Sequence, residues 1–177
     1  LFGMDPASGR TIWSMPWKTD FKVNASTPVY SDGYLFVTSD YGMGCMMLQV
    51  SPAGAKRLWA NKEVKSKFQQ VILDAGCLYA NSEGTLKCLS WPDGAVKWKS
   101  ERGRPELNEQ GSIVRAGGDK LLTMSDGGVA SLVRATPEGM QVLGEFQAVE
   151  GDHVWSVPLL YGGRLYVKGP KELVCFD

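Results

Sequence analysis

One histidine, four cysteines and no surplus of either charge leave this chain of 177 residues short of the usual equipment for chemistry. His153, in GDHVWSVP, has Asp152 adjacent in sequence rather than evidently opposed to it, so it reads as a solvated or packed loop residue rather than an acid or base. Cys45, Cys77, Cys88 and Cys175 show no C-x-x-C spacing, which argues against a zinc site. Lys plus Arg and Asp plus Glu both number 19, and no basic run of five occurs. That speaks against a nucleic-acid or anionic-membrane partner. The longest apolar runs, such as CMMLQV and SVPLLY, fall far short of the ~20 residues a spanning helix needs. There is no G-x-S-x-G, no H-E-x-x-H and no P-loop. GYLFVTSDYGMGC has glycines but no lysine and no following helix, so Gly42 and Gly44 read as an insertion in a turn. The chain starts at Leu1 without a visible signal peptide, and both ends read as cut.

What the sequence has is repetition. DPASGRTIW (Asp5 to Trp13) recurs as SPAGAKRLW (Ser51 to Trp59), SWPDGAVKW (Ser90 to Trp98) and TPEGMQVLG (Thr136 to Gly144). The last residue, Asp177, falls on the next anchor. The anchors Asp5, Ser51, Ser90, Thr136 and Asp177 are 46, 39, 46 and 41 residues apart, 43 on average. Asp, Ser and Thr accept hydrogen bonds from N–H groups two or three residues on, which nucleates a turn. Gly9, Gly54, Gly94 or Gly139 follows, suited to a positive φ. Trp13, Trp59 or Trp98 stands eight residues beyond its anchor, and Gly144 takes that place in the fourth copy.

Each anchor is preceded by two short apolar runs around a Gly- or Asp-containing turn: TPVYSDGYLFV, QVILDAGCLYA, IVRAGGDKLLT and VPLLYGGRLYV. That is the pattern of a hairpin. A second polar turn follows, such as NSEG (Asn81 to Gly84) or SDGG (Ser125 to Gly128). A third strand then leads into the anchor and a fourth ends at the tryptophan. No window shows helical periodicity. Four short antiparallel strands per 43 residues predict an all-β chain, a β-propeller of four-stranded blades. Five in-phase anchors argue against a β-sandwich. The single propeller region spans 1–177. It is expected to be about half of a larger ring, with a four-bladed ring completed by the N-terminal strand as the alternative.

WD40 and kelch patterns do not fit. There is no Trp-Asp dipeptide, and the Gly-Gly pairs sit at the wrong phase. The pattern Asp-x-x-x-Gly-x-x-x-Trp, preceded by G-x-L-Y/F-V and L-x-C-x-D/S, resembles the pyrroloquinoline-quinone-like (PQQ-like) propeller repeat. That repeat occurs in quinoprotein alcohol dehydrogenases, in an outer-membrane assembly lipoprotein, and in many secreted or envelope proteins of bacteria. The resemblance covers the whole chain. It implies seven or eight blades in a closed ring, with the tryptophan packed between neighbouring blades. It also implies two contrasting functions. One is a non-catalytic binding or scaffold module of the periplasm or cell envelope, with a protein or glycan partner and no cofactor. The alternative is part of a dehydrogenase holding PQQ and calcium. Such a dehydrogenase uses an adjacent Cys-Cys pair, which this chain lacks, and no dense Asp/Glu/Asn loop of the kind calcium prefers is present. The non-catalytic reading is therefore preferred.

By repeat alignment, the loops leading to the innermost strands carry Asn24, Ser26, Lys67, Gln69, Gln70, Gln110, Ser112, Trp155 and Ser156. These are the candidate binding surface, and Trp155 is the candidate anchor. The alignment puts no paired carboxylates there. If NSEG forms the whole turn, Ala80 faces Thr85 and Cys77 faces Cys88. Opposed cysteines have Cβ atoms about 4.5–5.5 Å apart, longer than a disulfide prefers. A bridge in an oxidising compartment and two small residues filling the blade interior both remain open, with the second preferred.

Overall fold

The computed structural model describes residues 1–177 as seventeen strands and no helix. Three sheets are complete, each with four strands ordered as in the chain. One holds β3 (Val29–Ser31), β4 (Tyr34–Ser39), β5 (Gly44–Ser51) and β6 (Gly54–Asn61). The next holds β7 (Ile72–Asp74), β8 (Cys77–Ser82), β9 (Thr85–Ser90) and β10 (Val96–Lys99). The third holds β11 (Ser112–Gly117), β12 (Lys120–Met124), β13 (Val129–Thr136) and β14 (Gly139–Gln147). They are flanked by a ribbon of β1 (Phe2–Met4) and β2 (Thr11–Ser14), and by a three-stranded sheet of β15 (Leu159–Tyr161), β16 (Arg164–Lys168) and β17 (Leu173–Phe176). All pairing is antiparallel within a sheet, and the two end sheets pair with no strand of each other. These 177 residues therefore do not close a four-bladed ring.

The core lies between sheets, not within one. Successive residues of a strand face opposite ways, so each blade contributes to two seams. Leu78, Ala80 and Leu89 meet Phe36, Cys45 and Met47 of the preceding blade. Tyr79, Leu86 and Cys88 meet Ile113, Leu121 and Val133 of the following one. Leu122, Met124 and Ala130 meet Val167 of the last sheet. The seams hold nine, eight and seven buried residues, but only three are buried where the β1–β2 ribbon meets its neighbour. β8 is buried at all six positions. Its polar residues are satisfied there, as buried polar groups must be.

One register differs from expectation. β8 pairs with β9 as Ser82 with Thr85, Ala80 with Lys87 and Tyr79 with Cys88, and Cys77 lies opposite Ser90. The turn is only Glu83–Gly84, both left-handed at φ 55° and 82°, and Asn81 and Ser82 continue the strand. Cys77 and Cys88 are thus diagonal rather than opposed, and all four cysteines are free thiols. Burial pushes the Cys88 thiol up to about 12 and that of Cys45 up to about 11, so both are protonated and unreactive at neutral pH.

The anchor turns come in two kinds. Asp5 and Ser90 close four-residue loops, in which Gly9 and Gly94 are left-handed at φ 71° and 73°. The Asp5 carboxylate accepts from the N–H groups of Ala7 and Ser8 (2.9 and 3.1 Å), which holds its proton affinity low. Ser51 pairs with Gly54 and Thr136 with Gly139 across two-residue turns. Gly54 has φ 146°, whereas Gly139 is not at positive φ. At Gly94 a second constraint applies: an added Cβ would run into the Trp59 indole of the preceding blade.

Candidate functional site

The connections that enter β3, β7, β11 and β15 lie at the same end of the blades as the turns between each blade's second and third strands. β7 and β11, first strands of neighbouring sheets, approach each other, so these connections crowd around the inner side of the arc. Buried polar side chains fix them in place. Thr38 donates to the Val64 carbonyl (3.0 Å) and accepts from the Ser66 N–H (3.3 Å). Asn81 donates to the carbonyls of Asn108 (2.8 Å) and Gly111 (2.7 Å) while accepting from Gly84 N–H (3.0 Å). Ser125 donates to Glu106 (3.2 Å), and Asn108 accepts from the Asp126 N–H (2.9 Å). Loops tied down at this many points present a set surface rather than a mobile one.

On that surface the centre is charged and the flanks are aromatic. Lys67 Nζ lies 2.9 Å from Glu109 and 3.9 Å from Asp40, and Arg102 lies 3.8 Å from Glu109. The bond to Glu109 raises the proton affinity of Lys67, and the same bond holds Glu109 below the usual carboxylate range. Lys67 is therefore a fixed cation, not a base. Oriented to satisfy both groups, the Gln110 amide accepts from Lys67 (3.1 Å) and donates to Asp126 (3.2 Å). On one flank Phe21 meets Tyr41 edge-on at 5.3 Å. On the other, Trp155 meets Phe68 at 5.4 Å and His153 at 5.0 Å. Phe21 is 73% exposed and Trp155 46%.

Of the residues expected at this mouth, Lys67 and Gln110 touch each other, and Ser26 donates to the Gln69 carbonyl (2.9 Å). Gln69 is buried and donates to the Glu109 carbonyl (2.6 Å), so it braces the loop from within. Asn24 accepts from Ser39 at 3.5 Å. Ser112 is buried with its hydroxyl unpaired. Gln70 and Ser156 are exposed. The repeat alignment missed Phe21, Asp40, Tyr41, Phe68, Glu109, Asp126 and His153. Asp40, Glu109 and Asp126 put carboxylates on this surface, where the repeat alignment places no paired ones. Asp40, Tyr41 and Asp126 belong to the second polar turn of each repeat, and placing those turns at the mouth would have found them.

The repeat tryptophans Trp13, Trp59 and Trp98 lie away from this mouth. Trp59 donates to the Pro92 carbonyl (2.9 Å) and Trp98 to the Thr136 carbonyl (2.7 Å), each reaching the anchor turn of the following blade. Trp13 instead covers Gly3 of its own ribbon, where a Cβ would collide with the indole. In place of a fourth tryptophan, Phe146 meets Phe176 at 5.2 Å.

Sheets stacked face to face around an inner mouth, with a tryptophan clasping the next blade's anchor turn at two of the seams, define a PQQ-like repeat propeller. A family model described as outer membrane protein assembly factor BamB matches residues 1–177, and the chain belongs to that family. No curated protein matches it. Among solved structures it is similar to BamB from Moraxella catarrhalis at TM-score 0.71 and 16% identity, over 98% of this chain and 50% of that one. It is also similar to the computationally designed Ika8 protein, at TM-score 0.69 and 9% identity, over 93% of this chain and 48% of that one. A europium-containing methanol dehydrogenase matches at TM-score 0.51 and 13% identity, over 67% of this chain and 23% of that one. These likenesses concern the fold. The chain spans about half the length of the first two structures.

No two cysteines adjoin, and no three His, Cys, Asp or Glu side chains gather where one metal ion would sit.

Proposed function

We propose that this chain is a non-catalytic binding and scaffold module of the bacterial cell envelope, with its mouth as the docking surface for a protein partner. One observation carries the reading: exposed aromatic pairs flank a pinned charge network on loops from successive blades. Rigid aromatic anchors around a fixed polar centre suit protein recognition, since little order is lost on docking. The ion-paired Lys67 and Glu109 are matched to each other rather than poised for proton transfer. Kinship with an outer-membrane assembly factor supports the envelope and a protein, rather than a glycan, as the partner.

The test has two arms. Titration of the protein with PQQ and Ca²⁺ is expected to give no bound quinone chromophore and no dye-linked alcohol oxidation; either signal would restore the dehydrogenase reading. Co-purification of an envelope protein is expected to be lost in the double variant Phe21→Ala/Trp155→Ala and kept in Leu58→Ala/Arg134→Ala, on the fourth strand of one blade and the third of another. Equal loss in both would remove the mouth from consideration.

A further inference from the structure

Asp126 differs from the three acids of the mouth that are ion-paired. Asp40, Glu83 and Glu109 each have a lysine or arginine within 4.0 Å, whereas Asp126 has none; its carboxylate meets only the Gln110 amide at 3.2 Å. Partial burial raises its proton affinity, Asp152 and Glu109 add to the rise, and His153 offsets part of it. The group is thus short of positive charge in a position that solvent only half serves. The half-exposed indole of Trp155, on the neighbouring loop, meets Phe68 and His153. Asp126 and Trp155 are tied together by the chain. The Val154 N–H donates to the Asp126 carbonyl (2.9 Å), and His153 is left-handed at φ 65°, which folds the segment back on the Asp126 turn. A carboxylate with no lysine or arginine within 4.0 Å, on a turn bonded to the segment that carries a half-exposed indole, suits a guanidinium, which can ion-pair and stack at once. An ammonium offers only a point charge, and an acidic side chain would be repelled.

We infer that the surface formed by Asp126, Gln110 and the Phe68–Trp155–His153 rings seats an arginine side chain of the docked protein. The inference rests on the mouth being the docking surface and names the chemistry it reads. It is tested by NMR titration of the 177-residue chain with the blocked tetrapeptide acetyl-Ala-Arg-Ala-Gly-amide, and with its lysine and glutamate counterparts. The indole N–H signals of six tryptophans provide the readout, with Trp155→Phe assigning the relevant one. The arginine peptide should move the Trp155 signal saturably, the lysine peptide more weakly, and the glutamate peptide not at all. Asp126→Asn should weaken the arginine peptide about ten-fold, the scale of one lost charge contact, while leaving the other five indole signals in place. Asp93→Asn, on an outer turn, should change nothing. A flat titration, an equal response to glutamate, or full binding by Asp126→Asn overturns the inference. If the titration is flat but the Phe21/Trp155 double variant still loses its protein partner, arginine reading falls and docking at the mouth stands; if partner capture is also indifferent to the mouth, both fall.

Discussion

Trp98 and Trp13 occupy the same phase of the repeat and hold the molecule in different ways. Trp98 lies beside Tyr79 of its own blade (6.0 Å) and bonds to the next blade's Thr136 carbonyl, over a seam of nine buried residues. Trp13 rests on Gly3 within a two-stranded ribbon, its indole N–H makes no hydrogen bond, and the adjoining seam buries three residues. A repeat letter therefore states an opportunity for contact. Whether it becomes a clasp depends on the neighbouring turn. The third arrangement, Phe146 against Phe176, shows a seam closed by a different residue two positions along.

The largest effect should separate the two tryptophans. Trp98→Ala is expected to cost about 3 kcal/mol, the lower end for removing a packed tryptophan, because the indole is only partly buried. Trp13→Ala should cost under about 1 kcal/mol, as a single half-exposed side chain. Urea unfolding measures both, and equal costs would break the distinction.

Glycine substitution should sharpen it. Gly94→Ala meets both a left-handed φ and the Trp59 ring, and is expected to cost about 2 kcal/mol. Gly139→Ala meets neither and should lie within about 0.5 kcal/mol of the parent in the same unfolding assay. A large cost at Gly139 would mean that all anchor turns are under one constraint.

The smallest effect concerns the mouth and appears in the pH dependence of unfolding. Glu109 is held low by Lys67, so its stabilisation is present above the ordinary value of 4.5 and fades as pH falls through the lowered one. Asp126 is raised above 3.8, so its contribution has the opposite sign: full below the ordinary value and lost as pH rises through the folded one. Glu109→Gln should flatten the loss of stability on acidification. Asp126→Asn should leave the protein as stable as the parent or slightly more so at pH 7, even while it weakens arginine binding. A destabilised Asp126→Asn at neutral pH would mean that the carboxylate serves the fold.

The architecture was legible because each repeat carries its own apolar runs and turn residues, so period and strand number could be read one repeat at a time. The register of β8 with β9 was not. Asn81 and Ser82 look like turn residues, yet Asn81 holds the Asn108–Gly111 loop and Ser82 accepts from the Lys65 N–H (3.1 Å), and those bonds keep both in the strand. The replacement of a fourth tryptophan by Phe146 was hidden for a similar reason, since its partner Phe176 comes from another blade. At the mouth, repeat alignment found Lys67, Gln110 and Trp155 on the loops entering first strands. It passed over Asp126 and Tyr41, which reach the same surface from separate turns. Spacing in one dimension does not record which loops of neighbouring blades meet.

Photo-crosslinking in envelope-bearing cells is the most direct test of the mouth as a docking surface. A photoreactive residue at Phe21, Phe68 or Trp155 should give one shared protein adduct, and the same residue at Lys56, Leu58 or Arg134, on the fourth strand of one blade and the third of another, should give none. Adducts arising from those strands while the three mouth positions stay silent would contradict the account.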